Sequence, residues 1–156
     1  MSKLEMKQPD WSHIKVAVVV SRWNSFITDE MARSAVDTLK GKGITDANIV
    51  EAYCPGSFEL PLACRWFMQQ KEIDGVVAIG VVIRGGTPHF EYVCDAVTRG
   101  ITDLNIQYGK PAAFGVLTTD NVEQALERSS VEKGNKGAEA ALALCDMLVL
   151  KNSVKV

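Results

Sequence analysis

Residues 74–83 read DGVVAIGVVI, and this stretch decides the fold. Apolar and mostly β-branched, it suits a strand covered on both faces, as at the centre of a parallel sheet. Gly85-Gly86-Thr87-Pro88 breaks the run, and Pro88 is well placed for the first turn of the next helix. That helix carries Phe90, Val93, Val97, Ile101 and Leu104 on one face and ends near Gly109. Toward the N-terminus, residues 15–21 (KVAVVVS) predict a second buried strand and residues 48–54 a third. Between them Thr28 is the expected N-cap of a helix that repeats apolar residues from Met31 to Leu39 and stops at Gly41 and Gly43. Residues 57–70 predict another helix, with Pro61 tolerable only in its first turn. Toward the C-terminus, residues 111–117 (PAAFGVL) predict a fourth strand, and Thr118-Thr119-Asp120 stands as a cap. Helices over 122–128 and 138–150 complete the order βαβαβαβαα. That order predicts a three-layer α/β domain with a mostly parallel four-stranded sheet between helices.

A chain of 156 residues has room for one domain, here 14–156, preceded by a loose arm over 1–13. With 47% hydrophobic and 23% charged residues the chain can bury a full core, which excludes a disordered class. A net charge of -2 argues against a general nucleic-acid or acidic-membrane binder. No apolar run reaches the ~20 residues of a spanning helix, and residues 1–11 lack the apolar core of a secretory signal. The expectation is a soluble, cytoplasmic domain. Cys54, Cys64, Cys94 and Cys145 form no C-x-x-C pair and sit among apolar neighbours, so they read as four reduced core thiols. With only His13 and His89 beside them, no metal site is expected. Residues 138–150 (AEAALALCDMLVL) are apolar nearly all round, which favours burial on a second side by another subunit.

Ligands of open parallel sheets bind beyond the carboxyl ends of the strands. Four segments converge there: Ser21-Arg22-Trp23-Asn24, Pro55-Gly56-Ser57-Phe58-Glu59, Arg84-Gly85-Gly86-Thr87-Pro88-His89, and Thr118-Thr119-Asp120. Paired glycines let backbone N–H groups approach an anion, and Thr87 adds a hydroxyl at a helix start, although a Gly-Gly pair is often only a turn. His89 lies in that same first turn, where the helix dipole favours a neutral base. It serves proton transfer or simple packing equally well. Trp23 can stack on a flat heterocycle or fill core space, and Glu59 can complement the dipole of its helix. No phosphate-binding G-x-x-x-x-G-K-[ST] loop or well-placed G-x-G-x-x-G is present, which argues against nucleotide hydrolysis and dinucleotide binding. A phosphoacceptor receiver domain would need clustered acids after the first strand, where Ser21-Arg22-Trp23 stands. The residues alone support a site for a planar ligand with an anionic or phosphate group.

Several segments in order carry a resemblance: Pro55-Gly56-Ser57-Phe58-Glu59-Leu60-Pro61, Val82-Ile83-Arg84-Gly85-Gly86-Thr87-Pro88-His89-Phe90, Phe114-Gly115-Val116-Leu117-Thr118-Thr119, and Glu123-Gln124-Ala125-Leu126-Glu127-Arg128 followed by Gly134-Asn135-Lys136-Gly137. Over residues 15 to about 150 the chain resembles lumazine synthase. The resemblance implies a flavodoxin-like fold and a cofactor-free transferase of the penultimate step of riboflavin biosynthesis. It implies condensation of 5-amino-6-(D-ribitylamino)uracil with 3,4-dihydroxy-2-butanone 4-phosphate to 6,7-dimethyl-8-ribityllumazine. By that likeness Trp23 stacks on the pyrimidine, Ser57, Phe58 and Glu59 contact it and its ribityl chain, and the backbone of Val81, Val82 and Ile83 reads its polar edge. Gly86 and Thr87 hold the phosphate, and His89 shuttles protons. Phe114, Arg128 and Lys136 come from a neighbouring copy, with Arg128 on the phosphate.

The family often has phenylalanine where Trp23 stands, and the larger indole would hold wider rings such as flavins more tightly. A pentamer with sites between subunits is implied, with the N-terminal arm adding a strand to a neighbour. The short stretch between Arg128 and Lys136 permits a 60-chain icosahedral shell, which in this family can enclose riboflavin synthase. The competing reading is a non-catalytic flavin or lumazine carrier, or a shell protein; intact His89, Arg128 and Lys136 argue against it.

Overall fold

The computed structural model describes residues 3–154, so the first two residues of the expected arm lie outside the described residues. Strands β1 (Val16–Ser21), β2 (Ile49–Cys54), β3 (Gly75–Ile83) and β4 (Ala112–Thr119) form one sheet in the order β2-β1-β3-β4. All three pairings are parallel, so a crossover joins each strand to the next. The crossovers contain α1 (Ser25–Gly41), α2 (Leu60–Met68) and α3 (His89–Tyr108); α4 (Val122–Ser129) and α5 (Lys136–Val154) follow β4. The three-layer arrangement expected from the strand and helix order is therefore the one observed.

Alternation along β1 divides the core in two. Val16, Val18 and Val20 pack with α1, α4 and α5 through Met31, Leu39, Ala125 and Leu144. Ala17 and Val19 face α2 and α3 through Leu60, Met68, Val97 and Ile101. Every residue of β1 is buried, as its unbroken β-branched run requires.

Three local expectations fail. Thr28 is not the cap of α1: the helix begins at Ser25, and Asn24 precedes it in the left-handed conformation (φ 59°, ψ 46°) without a side-chain bond. The Asn24 carbonyl accepts from the N–H groups of Ile27 (2.9 Å) and Thr28 (3.2 Å), so the first turn closes on backbone. Thr28 is buried, and its hydroxyl donates to the Ser21 carbonyl at 2.8 Å, joining α1 to the end of β1. Thr118-Thr119-Asp120 is not the cap of α4, because β4 runs through Thr119. Asn121 caps it instead, accepting from the Gln124 N–H at 2.8 Å. Nor is the arm loose from Lys7 onward: the Lys7 N–H donates to Ser153 Oγ at 2.7 Å, and Asn152 Nδ2 donates to the Lys7 carbonyl at 2.9 Å. Trp11 packs onto the α1/α5 core, and residues 3–13 contain no strand.

Cys54, Cys64 and Cys145 are buried, whereas Cys94 on α3 is only half-buried, a departure from four core thiols. Burial raises the Cys145 thiol to about 11. Helix α5 starts two residues before its expected position because Asn135 Oδ1 accepts from the N–H groups of Gly137 (2.8 Å) and Ala138 (3.2 Å). One side of α5 buries Ala141, Leu144 and Leu148, while Leu142, Met147 and Leu150 stand exposed on the other. No helix among the described residues is long and apolar enough to cross a membrane.

Candidate active site

β3 ends its pairing with β1 at Ile79 but continues against β4 to Ile83. On the β1 side, the last residues of β3 therefore border open space. That space is a cavity of about 380 Å³ lined by Trp23, Asn24, Ser57, Phe58, Glu59, Val81, Val82, Ile83, His89 and Val93. Trp23 and Phe58 are 62% and 58% exposed, so two aromatic faces are open to a flat ligand. His89 is exposed at the first residue of α3, with Val93 one turn further along the same helix.

The turn after β2 holds this aromatic wall in place. Glu59 Oε2 accepts from the Gly56 N–H at 3.0 Å, closing a tight turn over Ser57–Glu59. A Cβ on Gly56 would lie 2.5 Å from Trp23 Cε3, so glycine is what lets the indole lie against the turn. Ser57 is buried, and its hydroxyl donates to the Val81 carbonyl at 3.1 Å. Its proton is thus engaged inside the protein, and the oxygen keeps acceptor capacity. One Glu59 oxygen is engaged at Gly56, and the carboxylate retains further lone pairs. Behind this wall Cys54 is raised to about 11 by burial first and by Glu59 second, so it stays a thiol at neutral pH.

Gly86 and Thr87 line a second recess of about 330 Å³, together with Arg84, Gly85, Pro88 and Glu91. The chain turns between Thr87 and His89, which sets the imidazole in the aromatic cavity and the glycines in the recess. Among the described residues, the N–H groups of Gly85, Gly86 and Thr87 have no hydrogen-bond partner. Free N–H groups beside a helix start are favourable surroundings for an anion.

Phe114, Arg128 and Lys136 are elsewhere. They line a third depression of about 490 Å³ on the open edge of β4, with Thr118, Glu139 and Ala143. Lys136 Nζ meets Glu139 Oε2 at 2.6 Å, and Arg128 is exposed at the end of α4. Within one chain these three residues share no cavity with Trp23 and His89.

Val93 and Glu139 belong to these surfaces and were not singled out from sequence as site residues, while Asn24 and Gly56 stood in the converging loops with no role of their own. Val93 was legible, standing one helical turn beyond His89. Gly56 was not, because its requirement comes from Trp23, thirty-odd residues away. Among the described residues no group of three or more His, Cys, Asp or Glu side chains is placed to hold a metal ion.

The family model described as 6,7-dimethyl-8-ribityllumazine synthase matches residues 13–152. The match spans the sheet, all five helices up to the last turn of α5, and every residue of the three depressions. The chain therefore belongs to the 6,7-dimethyl-8-ribityllumazine synthase family, transferases of riboflavin biosynthesis.

Proposed function

We propose that the protein condenses 5-amino-6-(D-ribitylamino)uracil with 3,4-dihydroxy-2-butanone 4-phosphate, forming 6,7-dimethyl-8-ribityllumazine with loss of inorganic phosphate and water. The observation that carries this reading is the cavity joining Trp23, Glu59 and His89 beside the unpartnered N–H groups of Gly85–Thr87. A flat pyrimidine stacks on Trp23 and Phe58, while Glu59 and the backbone of Val81–Ile83 engage its polar edge and the ribityl hydroxyls. The phosphate lies at Gly86 and Thr87, which brings the ketone carbon toward His89.

Amine attack on the ketone forms a C–N bond and moves one proton from nitrogen to oxygen. Departure of that oxygen as water then needs a proton delivered to it. His89 carries both transfers in turn, an exchange that typically contributes ~10²–10⁴-fold. Holding the two reactants together supplies up to ~7–11 kcal/mol more. No cofactor is required, because the step is condensation and elimination.

The site is completed by a second copy. Its Phe114 closes over the pyrimidine, its Arg128 pairs with the phosphate and its Lys136 adds a second positive charge. The separation of these residues from Trp23 within one chain supports this, as do the exposed Leu142, Met147 and Leu150 of α5. A closed ring of five copies provides such shared sites, and the short link between α4 and α5 leaves room for twelve rings to form a 60-chain shell around riboflavin synthase. The open edge of β2 is where a neighbour's arm, through the part that precedes Lys7, adds a strand to the 14–156 domain. The protein works in the cytoplasm and needs no nucleic acid or membrane. Mixing both substrates with the purified protein and following the absorbance of the lumazine tests this; the rate should exceed the uncatalysed one. Ligand binding without turnover would make the protein a carrier instead.

A further inference from the structure

Arg84 is the first residue beyond β3, and its N–H donates to the Thr119 carbonyl at 2.9 Å, prolonging the β3–β4 ladder. Its guanidinium lies 4.2 Å from the centre of the Phe90 ring. Nε donates to Asp120 Oδ1 at 3.0 Å, and Nη1 donates to Glu91 Oε1. Asp120 is itself held, since its N–H donates to Gln124 Oε1 at 2.9 Å. One side chain thus joins the first turn of α3 to the turn between β4 and α4. Between those anchors, Gly85 and Gly86 have open space where a Cβ would be.

Glu91 shares the recess with Gly86 and Thr87, while Asp120 holds Arg84 from the turn after β4 and is not part of the lining. One carboxylate therefore borders the place where the phosphate of the proposed substrate belongs, and a second lies across the Arg84 guanidinium from it. Arg84 holds the Glu91 carboxyl below the usual carboxylate range, so Glu91 is charged at neutral pH. Both carboxylates would repel a phosphate dianion unless a cation stood between them. Two of its five N–H donors are engaged by Glu91 and Asp120, so its charge is already shared between two carboxylates before a phosphate arrives.

We propose that Arg84 is a positioning residue for the phosphorylated substrate: it neutralises Glu91 and Asp120 at the rim of the Gly85–Thr87 turn and fixes both ends of that turn. This rests on the assignment of the phosphate to Gly86 and Thr87. The pyrimidine cavity, lined by other residues, is untouched by the role. Arg84→Gln leaves Glu91 on the recess, and Asp120 nearby, without their counter-charge, which should weaken phosphate binding roughly three- to tenfold at low salt. Glu91→Gln in the same chain removes one repulsion and restores part of the loss, and Arg84→Lys keeps the charge and most of the affinity.

The test is calorimetric titration of the assembled protein with inorganic phosphate, for the wild type, Arg84→Gln, Arg84→Lys and Arg84→Gln/Glu91→Gln, at low and high salt. Thermal melts of each variant show that it is folded. The expected result is weaker, salt-sensitive phosphate binding in Arg84→Gln, regained in part by the second substitution. In kinetics KM for the phosphorylated ketone should rise while KM for the pyrimidine holds. Phosphate binding equal to wild type in Arg84→Gln, or no phosphate binding by the wild type, would overturn the role. So would a loss that Glu91→Gln does not relieve. Failure of the wild type to form lumazine while these phosphate effects persist would overturn the reaction and leave the Arg84 role standing.

Discussion

Gly137 and Gly56 stand behind the two separated parts of the proposed site, and a methyl group added at each meets something different. At Gly137, next to Lys136, the new Cβ would lie 2.1 Å from the Met31 carbonyl oxygen, in the backbone of α1. At Gly56 it would meet the Trp23 ring at 2.5 Å, a side chain that is 62% exposed and has solvent to move into. The cationic part is thus anchored where one helix backbone presses on another, and the aromatic part where an indole rests on a turn. The basic residues hang on the scaffold itself, while the aromatic surface proposed to read the flat ligand is adjustable.

This contrast can be broken by substitution. Gly137→Ala should have the largest effect, at least ~3 kcal/mol of stability, because neither backbone can move aside. A thermal melt should show Tm falling by roughly 6–12 °C, and an unchanged Tm would refute the close packing of α1 on α5. His89→Ala should keep the fold and lower kcat by roughly 10²-fold, read by steady-state assay. Arg128→Ala should raise KM for the phosphorylated ketone by about tenfold and leave KM for the pyrimidine unchanged, the pattern of a lost charge-assisted bond. Gly56→Ala should be mildest, costing about 1 kcal/mol or less in stability. Its effect appears in Trp23: with Trp11 and Trp66 replaced by Phe, the remaining emission should become more accessible to acrylamide, and KM for the pyrimidine should rise a few-fold. Equal melting losses in the two glycine variants would erase the contrast.

The sheet and its loops were legible because the β-branched runs of β1 and β3 have few alternatives in an α/β chain, and because ligands gather beyond the strand ends. Placing Trp23, Glu59 and His89 on one cavity follows from that rule. Caps were less legible. Asn24 begins α1 through its carbonyl in a left-handed conformation, with no side-chain signal, and Thr28 looks like a cap while bonding to β1. Contacts across long spans of chain were invisible: Lys7 with Ser153, Arg84 with Asp120, and Gly56 beneath Trp23. Arg128 and Lys136 look like ordinary solvated charges by spacing alone, and the role proposed for them came through the resemblance. The same resemblance implied that they act with Phe114 and apart from the His89 of their own chain, and the fold puts the three on one depression.

The central claim is that each working site takes Trp23 and His89 from one chain and Arg128 from another. Co-assembly of His89→Ala chains with Arg128→Ala chains, after joint unfolding and refolding, measures it directly. If sites are shared, random mixing in equal amounts rebuilds about a quarter of them from two intact halves. With the phosphorylated ketone well below its KM, the mixture should then form lumazine well above the average of the two separate variants. If each site lies within one chain, every chain keeps its own lesion, and activity equal to that average would contradict the account.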